Sequence, residues 1–379
     1  MSRPTDHENL DLTRFHLDVV KRRSGGRIIW QPRILCWLSD KRFAGEPLPE
    51  PYEHLSEPDI FRNLHVSARI YDFNSCYRKV LPPSASERQE KLDELRTRYI
   101  TETPVGTLTR ILRRSRNSRD SYPEKWPLET EEDVRVAIWL EEHSTWAWDQ
   151  TAFNRLCQEW HGLGAPTIFL PRVNVQSLYI DSMGVENAVY AMADYPDVIE
   201  AYFRTLNESH DRLIDLINAS PIEIIDFGDN IHAGTLSPEL FKKYVLPAYQ
   251  HRTERLHSAG KFVHAHWDGD VGPLLPFAQD TGLDGIEAIT PKPQGDVTLK
   301  EVRKFLGDRM FLIDGIAAVL FNSTYPEEDL IRQTKECIDL FAPNLILGIS
   351  DEISSTGDIE RIRIVTRIVD DYNASCGPA

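Results

Sequence analysis

Two histidines and an aspartate stand at alternate positions in one short segment of the sequence, at His264, His266 and Asp268. They end an apolar run that begins at Phe262, and Gly269 follows them. Because alternate residues of a β-strand point to the same face, the two histidines are expected side by side. Imidazole and carboxylate groups bind divalent ions and transfer protons, so the segment predicts a metal site or an acid–base site.

Repeated βα units are predicted from about residue 160 onward, because short β-branched apolar runs alternate there with segments of helical period. Eight strands are predicted, at residues 27–35, 68–73, 166–171, 223–227, 261–266, 285–289, 310–313 and 345–349. Helices are predicted at residues 238–258, 298–306, 326–343 and 358–372. This order indicates an α/β fold, a (β/α)8 TIM barrel with an N-terminal helical elaboration. The alternative, a doubly wound sheet, would carry a glycine-rich phosphate-binding turn, which the sequence lacks.

The chain is predicted to form a single domain over residues 1–379. In this interpretation residues 1–26 are an N-terminal extension, and residues 100–150 are a surface excursion with a turn or hairpin at 103–107. Five arginines lie between Arg110 and Arg119. We interpret them as a solvated arm or a subunit contact, with an anion-binding or partner-docking arm as the alternative.

Polar residues that follow the predicted strands would form one ring at the active-site end of a barrel. The ring contains Arg33, Arg172, Asn174, Asp226, Asp229, Asn230, His232, His264, His266, Asp268, Glu287, Thr290, Asp314, Ser350, Asp351 and Glu352. Several members have simpler explanations. His264 can be a buried core histidine, and Asp229 and Asp314 can be turn residues. Asp351 and Glu352 can open a helix, but the number of acidic strand ends around the histidine pair favours a functional site.

Two kinds of chemistry suit this ring. In the first, His266, Asp268 and Asp351 bind a divalent ion and leave one position open for substrate. In the second, no metal binds, and arginine, aspartate and histidine side chains orient a carboxylated substrate and move protons. Carboxylates clustered without a cation repel one another, which favours the metal site.

The composition argues against several classes of protein. With 43 Lys and Arg against 59 Asp and Glu, the formal net charge is −16, whereas nucleic-acid binding needs a basic surface. No apolar run approaches the ~20 residues of a membrane span, and the polar N-terminus lacks the apolar core of a signal peptide. The five cysteines are scattered and form no CxxC pair. A reduced, cytoplasmic protein is predicted, in which His, Asp and Glu must hold any metal.

Four segments between Gly184 and Tyr372 carry a family resemblance. They are NAVYAMADYP at 187–196, the Asp229 turn followed by LSPELF at 236–241 and Leu246-Pro247, HWDG at 266–269, and ILGISDEI at 346–353 with DIERI at 358–362. With these segments the chain resembles the uroporphyrinogen decarboxylase superfamily, whose members are (β/α)8 barrels. The superfamily includes the decarboxylase itself and cobalamin-linked, zinc-dependent methyltransferases.

The methyltransferase branch has zinc ligands in a His-x-Cys-Gly motif after one strand and in a second cysteine of the last βα loop. His266 matches that histidine, while Asp268 and Asp351 stand where the two cysteines would be. The resemblance therefore implies one histidine and two carboxylates, which can hold zinc or another divalent ion. The arginine-rich signature of the decarboxylases is represented in residues 29–35 by Arg33 alone, so uroporphyrinogen is not expected as the substrate.

The resemblance and the ring together predict a metal-assisted methyltransferase, which demethylates a small methylated substrate and passes the methyl group to cobalamin (a corrinoid) on a partner protein. The chain has no Asp-x-His-x-x-Gly cobalamin-binding sequence of its own. The predicted metal ligands are His266, Asp268 and Asp351; the catalytic candidates are His264, Asp229, Asn230 and His232; the substrate-binding candidates are Arg33, Arg172, Asn174 and Glu287. Glu287 is also a candidate fourth ligand.

Two alternatives stay open. One is a metal-free lyase or decarboxylase that binds a small carboxylated substrate through Arg33 or Arg172, and metal content separates it from the methyltransferase. The other is a non-catalytic binding protein, which the many polar strand ends disfavour because unpaired buried carboxylates are costly. The sequence does not identify the methyl donor, and it is compatible with a monomer or a homodimer.

Overall fold

The computed structural model describes residues 11–118 and 120–377. Its strands are Ile29–Gln31 (β1), Tyr77–Val80 (β2), Ser86–Lys91 (β3), Arg96–Thr103 (β4), Gly106–Arg114 (β5), Ser121–Lys125 (β6), Thr145–Trp148 (β7), Thr167–Leu170 (β8), Ile224–Phe227 (β9), Phe262–His266 (β10), Gly285–Glu287 (β11), Phe311–Ala317 (β12) and Leu345–Ser350 (β13). Its α-helices are Leu12–Val20 (α1), Leu35–Ala44 (α2), Glu57–Leu64 (α3), Glu131–His143 (α4), Gln150–Glu159 (α5), Asn174–Ser177 (α6), Val185–Asp194 (α7), Pro196–Asn218 (α8), Pro238–Leu240 (α9), Leu246–His257 (α10), Leu299–Leu306 (α11), Glu327–Phe341 (α12) and Arg361–Ser375 (α13).

Seven parallel strands form the central sheet, in the order β1-β13-β12-β11-β10-β9-β8. From β8 to β13 neighbouring strands follow one another in sequence and are joined by helical segments, as the βα pattern predicts. The sheet is curled, and the predicted α/β class is confirmed. The first predicted strand is shorter than expected, because α2 already begins at Leu35.

The strand predicted at residues 68–73 is wrong, and in the described part of the chain the parallel sheet has seven strands and is not a closed barrel. In its place, Ser67 N donates to Trp30 O of β1 (3.0 Å), and Ala68 N donates to Leu163 O ahead of β8 (2.8 Å). The chain then enters a 3-10 turn at Tyr71–Cys76, where Asn74 Oδ1 accepts the backbone N–H of β8 at Phe169 (2.7 Å). A side chain thus takes the place of the backbone ladder that a strand would need.

Side chains along the strands alternate between the concave face of the sheet and the surrounding helices. Near the N-terminal ends of the strands the concave face is apolar, where Phe262, Phe311 and Ile346 cluster with Phe15 and Val19 of α1. Helix α1 therefore covers this end of the concave face. The polar residues of the concave face lie farther along the strands, toward their C-terminal ends.

Two helix starts that the sequence predicts are confirmed. Ser237 Oγ accepts the backbone N–H of Leu240 (3.3 Å) at the start of α9, and Thr298 and Glu301 form a capping box at the start of α11. A short π-helical turn at Phe241–Val245 joins α9 to α10, so the helix predicted at 238–258 is nearly continuous. None of the helices in the described part of the chain is both long and apolar enough to span a membrane.

An antiparallel sheet in the order β3-β4-β5-β6 overlaps the predicted surface excursion. The hairpin predicted at 103–107 is present between β4 and β5. The sheet begins earlier than the predicted excursion, at Ser86, because its polar first strand gives no apolar pattern. The described arginines of the predicted arm are exposed: Arg110, Arg113, Arg114 and Arg116. Arg119 and residues 1–10 of the predicted extension lie outside the described residues, and the single domain stays a prediction.

Candidate active site

Strand register brings the histidine pair to two acidic residues. His264 of β10 lies opposite Asp226 of β9, and His266 lies opposite Glu287 of β11. Opposite residues of neighbouring parallel strands point to the same side of a sheet, so all four line the concave face. None of the four is more than 6% exposed.

The deeper part of this face holds three potential metal ligands, Asp226, His264 and Glu287, which we call the deep triad. One ligand atom of each lies within 4.8 Å of the other two. His264 Nδ1 is 3.4 Å from Asp226 Oδ1 and 3.2 Å from Glu287 Oε2. Two carboxylates and an imidazole at this spacing can bind a divalent ion.

The acidic members of this cluster have pKa values shifted in opposite directions. Burial and the neighbouring Glu287 raise the pKa of Asp226 well above its ordinary value. Burial also opposes ionisation of Glu287, but Arg69, the two histidines of β10 and Arg33 outweigh it and hold the pKa of Glu287 well below its ordinary value. Burial lowers the pKa of His266, but the hydrogen bond to Glu287 raises it more. Without a cation, Asp226 therefore favours the protonated form beside an ionised Glu287.

Two buried arginines neutralise the carboxylates around the deep triad. Arg69 forms a bidentate pair with Asp314 (2.8 and 3.2 Å), and its Nη1 lies 3.0 Å from Glu287 Oε1. Arg33 Nη1 lies 3.1 Å from the same Glu287 oxygen and 2.9 Å from Asp351 Oδ1. The positive charge of both arginines is therefore already compensated by carboxylates of the chain.

The backbone around the site is strained at three non-glycine residues. Asn230, Ala288 and Asp314 have φ angles of 52°, 66° and 78°. Left-handed backbone at such residues costs about 1–3 kcal/mol and is concentrated at functional sites. Beside Asp314, Gly348 leaves the space that its carboxylate occupies, since a Cβ at Gly348 would lie 2.1 Å from Asp314 Oδ1.

The three predicted metal ligands, His266, Asp268 and Asp351, meet at the C-terminal ends of the strands, and we call them the mouth site. His266 Nδ1 shares a hydrogen bond with Glu287 Oε1 (3.1 Å), so its Nε2 faces Asp268 Oδ2 at 3.9 Å and Asp351 Oδ1 at 4.0 Å. A carboxylate on one imidazole nitrogen commonly orients the other nitrogen toward a metal. Each carboxylate lies near the imidazole, but among the described residues His266, Asp268 and Asp351 are not a group whose ligand atoms all lie within 4.8 Å of one another. The donor types suit a divalent ion, and Asp351 Oδ1 is also paired with Arg33 Nη1 at 2.9 Å. The role of the three residues as ligands stays a prediction.

Asn230 and Arg172 support Asp268 from the side of β9. Arg172 Nη2 donates to Asn230 Oδ1 (2.8 Å), and Asn230 Nδ2 donates to Asp268 Oδ2 (3.3 Å). Arg172 is anchored in turn by Asp181 (2.9 Å). The other oxygen of Asp268, Oδ1, is buried without a hydrogen-bond partner. The chain of contacts therefore fixes the direction of the Asp268 carboxylate.

Three further candidates make contacts within the loops. Asp229 accepts hydrogen bonds from the backbone N–H of Val173 and the hydroxyl of Tyr249, both at 2.7 Å. Asn174 donates to a main-chain carbonyl (3.1 Å), and His232 Nε2 lies 3.3 Å from a threonine hydroxyl. Such contacts are typical of residues that hold a loop in place. The catalytic and binding roles of these three residues stay predictions.

Arg69 and Tyr71 belong to the site, although they are not among the residues predicted from the sequence. The signal was present, because Ser67, Arg69 and Tyr71 alternate with apolar neighbours and so share one face. Tyr71 stacks on Phe169 of β8 with ring centroids 5.1 Å apart. These residues close the side of the site between β1 and β8.

A family model identifies the family, and one solved structure shows the fold. The sequence model of the uroporphyrinogen decarboxylase (URO-D) family matches residues 176–372, just over half of the chain. No curated protein is significantly similar in sequence. A methyltransferase from Methanosarcina mazei is similar in structure over 96% of this chain and 99% of its own, with a TM-score of 0.59 and 12% identity. A B12-independent methionine synthase from Shewanella sp. W3-18-1 covers 90% of this chain and 87% of its own, with a TM-score of 0.34 and 10% identity. The similarity to the M. mazei protein shows a shared fold.

Proposed function

The chain belongs to the uroporphyrinogen decarboxylase family, and we propose that it acts as a metal-assisted methyltransferase. It would demethylate a small methylated substrate at the mouth site, and cobalamin on a partner protein would receive the methyl group. The orientation of His266 carries the proposal, because Glu287 holds Nδ1 and leaves Nε2 between the carboxylates of Asp268 and Asp351. The fold shared with a methyltransferase supports it.

The mouth site has the donor atoms for a catalytic ion. His266, Asp268 and Asp351 would hold it, and when bound, a divalent ion such as zinc supplies a Lewis acid that makes the methyl-bearing atom a better leaving group. The side chains of Asp268 and Asp351 are 28% and 46% exposed, which leaves the outer side of the site open to substrate. One imidazole and two carboxylates are harder than a thiolate set, which favours a methyl group carried on oxygen or nitrogen.

The remaining side chains would position these groups and limit water. Asn230, anchored by Arg172, orients Asp268 through its carboxamide. The stacked rings of Tyr71 and Phe169 form an apolar wall, and Arg33 lies over the Tyr71 ring at 5.7 Å. Because an apolar wall excludes water, electrostatic interactions on its side of the site are stronger.

The alternative function, a metal-free decarboxylase, needs an arginine that can bind the substrate carboxylate. Arg33 already pairs with Glu287 and Asp351, and Arg172 already contacts Asp181 and Asn230. A substrate carboxylate would have to displace these internal partners. This displacement counts against the decarboxylase, while a mouth ion would have to share only one of these contacts, that of Arg33 with Asp351 Oδ1.

The test combines metal content with methyl transfer to free, reduced cobalamin. Protein purified without added metal or an affinity tag is first analysed for divalent ions. It is then mixed with cob(I)alamin and a methoxyaromatic, a methylamine or a betaine, and methylcobalamin is followed by absorbance. We expect at least one ion per chain and transfer from one donor class. In His266→Ala and Asp268→Ala we expect the transfer and one ion per chain to be lost.

His257→Ala is the matched control, because His257 pairs with Asp284 near the N-terminal ends of the strands, away from the mouth site. It should keep both metal and activity. A parent protein that holds no metal and takes up no zinc, manganese or iron(II) on titration would overturn the metal-assisted mechanism and favour the lyase.

A further inference from the structure

Below the mouth site, we propose that the deep triad is a second cation site, which binds its own divalent ion through Asp226 Oδ1, His264 Nδ1 and Glu287 Oε2. This inference does not depend on methyl transfer. It concerns an ion buried in the concave face, whereas the mouth ion would lie at the ends of the strands.

Unpartnered buried atoms point to this ion. Both carboxylate oxygens of Asp226, Nδ1 of His264 and Oε2 of Glu287 are buried and make no hydrogen bond of good geometry, although Nδ1 lies 3.2 Å from Oε2. Asp226 and Glu287 are fully buried, and His264 is 3% exposed. Buried polar atoms are nearly always paired, because leaving them unpaired is costly. A cation among them would satisfy all three residues at once.

The two oxygens of Glu287 differ in their surroundings. Arg33, Arg69 and His266 approach Oε1 at 3.1, 3.0 and 3.1 Å. Oε2 has no hydrogen-bond partner and lies 3.2 Å from His264 Nδ1. One oxygen is therefore saturated by donors, and the lone pairs of the other are directed into the deep triad.

The spacing and the charge of the deep triad also suit an ion. Ligands of a tetrahedral ion stand about 3.4 Å apart, and the observed separations from His264 Nδ1 are 3.2 and 3.4 Å. These are shorter than the 3.9 and 4.0 Å separations at the mouth site. Fully buried Asp226, Glu287 and Asp314 face two buried arginines, which leaves an excess of negative charge. A cation, or a proton on Asp226 or on His266, compensates it, and metal stoichiometry distinguishes the cation from the protons.

Glu287 connects the two sites. Its Oε2 would bind the deep ion, while its Oε1 holds His266 Nδ1. An ion in the deep triad would fix the Glu287 carboxylate and thereby the ring of His266. Removal of such an outer partner usually weakens metal binding about 10- to 100-fold, so loss of the deep ion should weaken the mouth ion by a factor of about 10.

The experiment measures metal ions per chain after the full-length protein is dialysed against Mn²⁺ or Zn²⁺. We expect two ions in the parent, one in Asp226→Asn and one in Asp268→Asn. His264→Gln tests the deep triad independently in case Asp226→Asn folds poorly, and it should also keep one ion. Asp284→Asn changes a carboxylate outside both sites and should keep two.

The outcomes separate this inference from the proposed function. A single ion in the parent that is lost in Asp268→Asn and kept in Asp226→Asn would overturn the deep site and leave the function standing. Two ions kept in both Asp226→Asn and His264→Gln would also overturn it. A single ion lost only in the deep-triad variants would support the deep site and contradict the mouth metal. No ion in the parent would overturn both.

Discussion

Arginine and carboxylate side chains form networks in two regions of this protein, and burial distinguishes them. The interior network consists of Arg33, Arg69, Glu287 and Asp314, whose side chains are 0 to 7% exposed. The surface network consists of Arg88, Glu90, Arg98 and Glu102 on β3 and β4, whose side chains are 40 to 51% exposed. The lengths are similar, 2.8 Å for Arg69 to Asp314 and 3.2 Å for Arg98 to Glu90.

The comparison shows that the length of an ion pair does not determine its importance. On the surface, each charge keeps most of its hydration, and the loss of its partner costs little. In the interior, removal of one partner leaves an uncompensated charge in a medium of low dielectric constant. The interior network should therefore be sensitive to single substitutions that the surface network tolerates.

The largest expected effect is that of Arg69→Met. It leaves Asp314 and Glu287 without one of their buried cations, and breaking a buried pair in this way costs about 3–5 kcal/mol in the free energy of unfolding. Urea denaturation measures it, with Arg98→Met on β4 as the matched surface control. Equal losses in the two variants would remove the distinction between the regions.

Asp226→Asn should raise the free energy of unfolding of the metal-free protein, by less than Arg69→Met lowers it. Burial and Glu287 raise the pKa of Asp226 in the folded protein. When the pH rises above the pKa that Asp226 has in the unfolded chain, the unfolded chain loses this proton more readily, and the folded protein becomes less stable. The variant should exceed the parent by about 1–3 kcal/mol in the free energy of unfolding at pH 8. This advantage should shrink as the pH falls toward 4. A variant that is less stable than the metal-free parent at pH 8 would contradict the assignment of Asp226 as an uncompensated acid.

His257 and Asp284 give an intermediate case, because their side chains are 37% and 35% exposed. The hydrogen bond to Asp284 raises the pKa of His257 despite partial burial. The pair then stabilises the protein below the unfolded pKa of His257, and this stabilisation is lost as the pH rises through the folded pKa. His257→Ala should lower the free energy of unfolding by about 0.5 kcal/mol at pH 5.5 and have no effect at pH 8.5. A loss of equal size at both pH values would point to packing instead.

The smallest effect is expected for Arg88→Ala. Arg88 contacts Glu90 and Glu102 at the surface, where water and salt screen the charges. The melting temperature in 0.15 M salt, about the physiological ionic strength, should not change measurably. A clear decrease that salt abolishes would show that the surface network acts cooperatively.

The parallel sheet, and the position of His266, Asp268 and Asp351 at the ends of its strands, were predictable because their signals are local. The run that ends at His266 and Asp268 has the apolar character of a buried strand, and the polar residues that follow strands share one edge of a sheet. Residues 68–73 also have a strand-like pattern, in which polar and apolar residues alternate, yet they form no strand. The difference lies in Asn74 and the 3-10 turn, whose hydrogen bonds depend on β8 far along the chain.

The partners within the site could not be predicted in this way. The contact of Glu287 with His266 follows from the register of β10 and β11, which neither segment specifies alone. Arg69 reaches Asp314 across 245 positions of sequence. Such pairings are properties of the assembled sheet, and they decide which carboxylates are neutralised and which are left for a cation.

The position of the Asp314 carboxylate also depends on Gly348, a residue without a functional group. A single methyl group there would lie 2.1 Å from Asp314 Oδ1 and 3.0 Å from the carbonyl oxygen of Gln31. Alanine at position 348 would push Asp314 away from Arg69 and leave every reactive side chain in the sequence unchanged. In evolutionary terms, a descendant of this protein could keep all its histidines and carboxylates and still lose its activity through the smallest possible substitution.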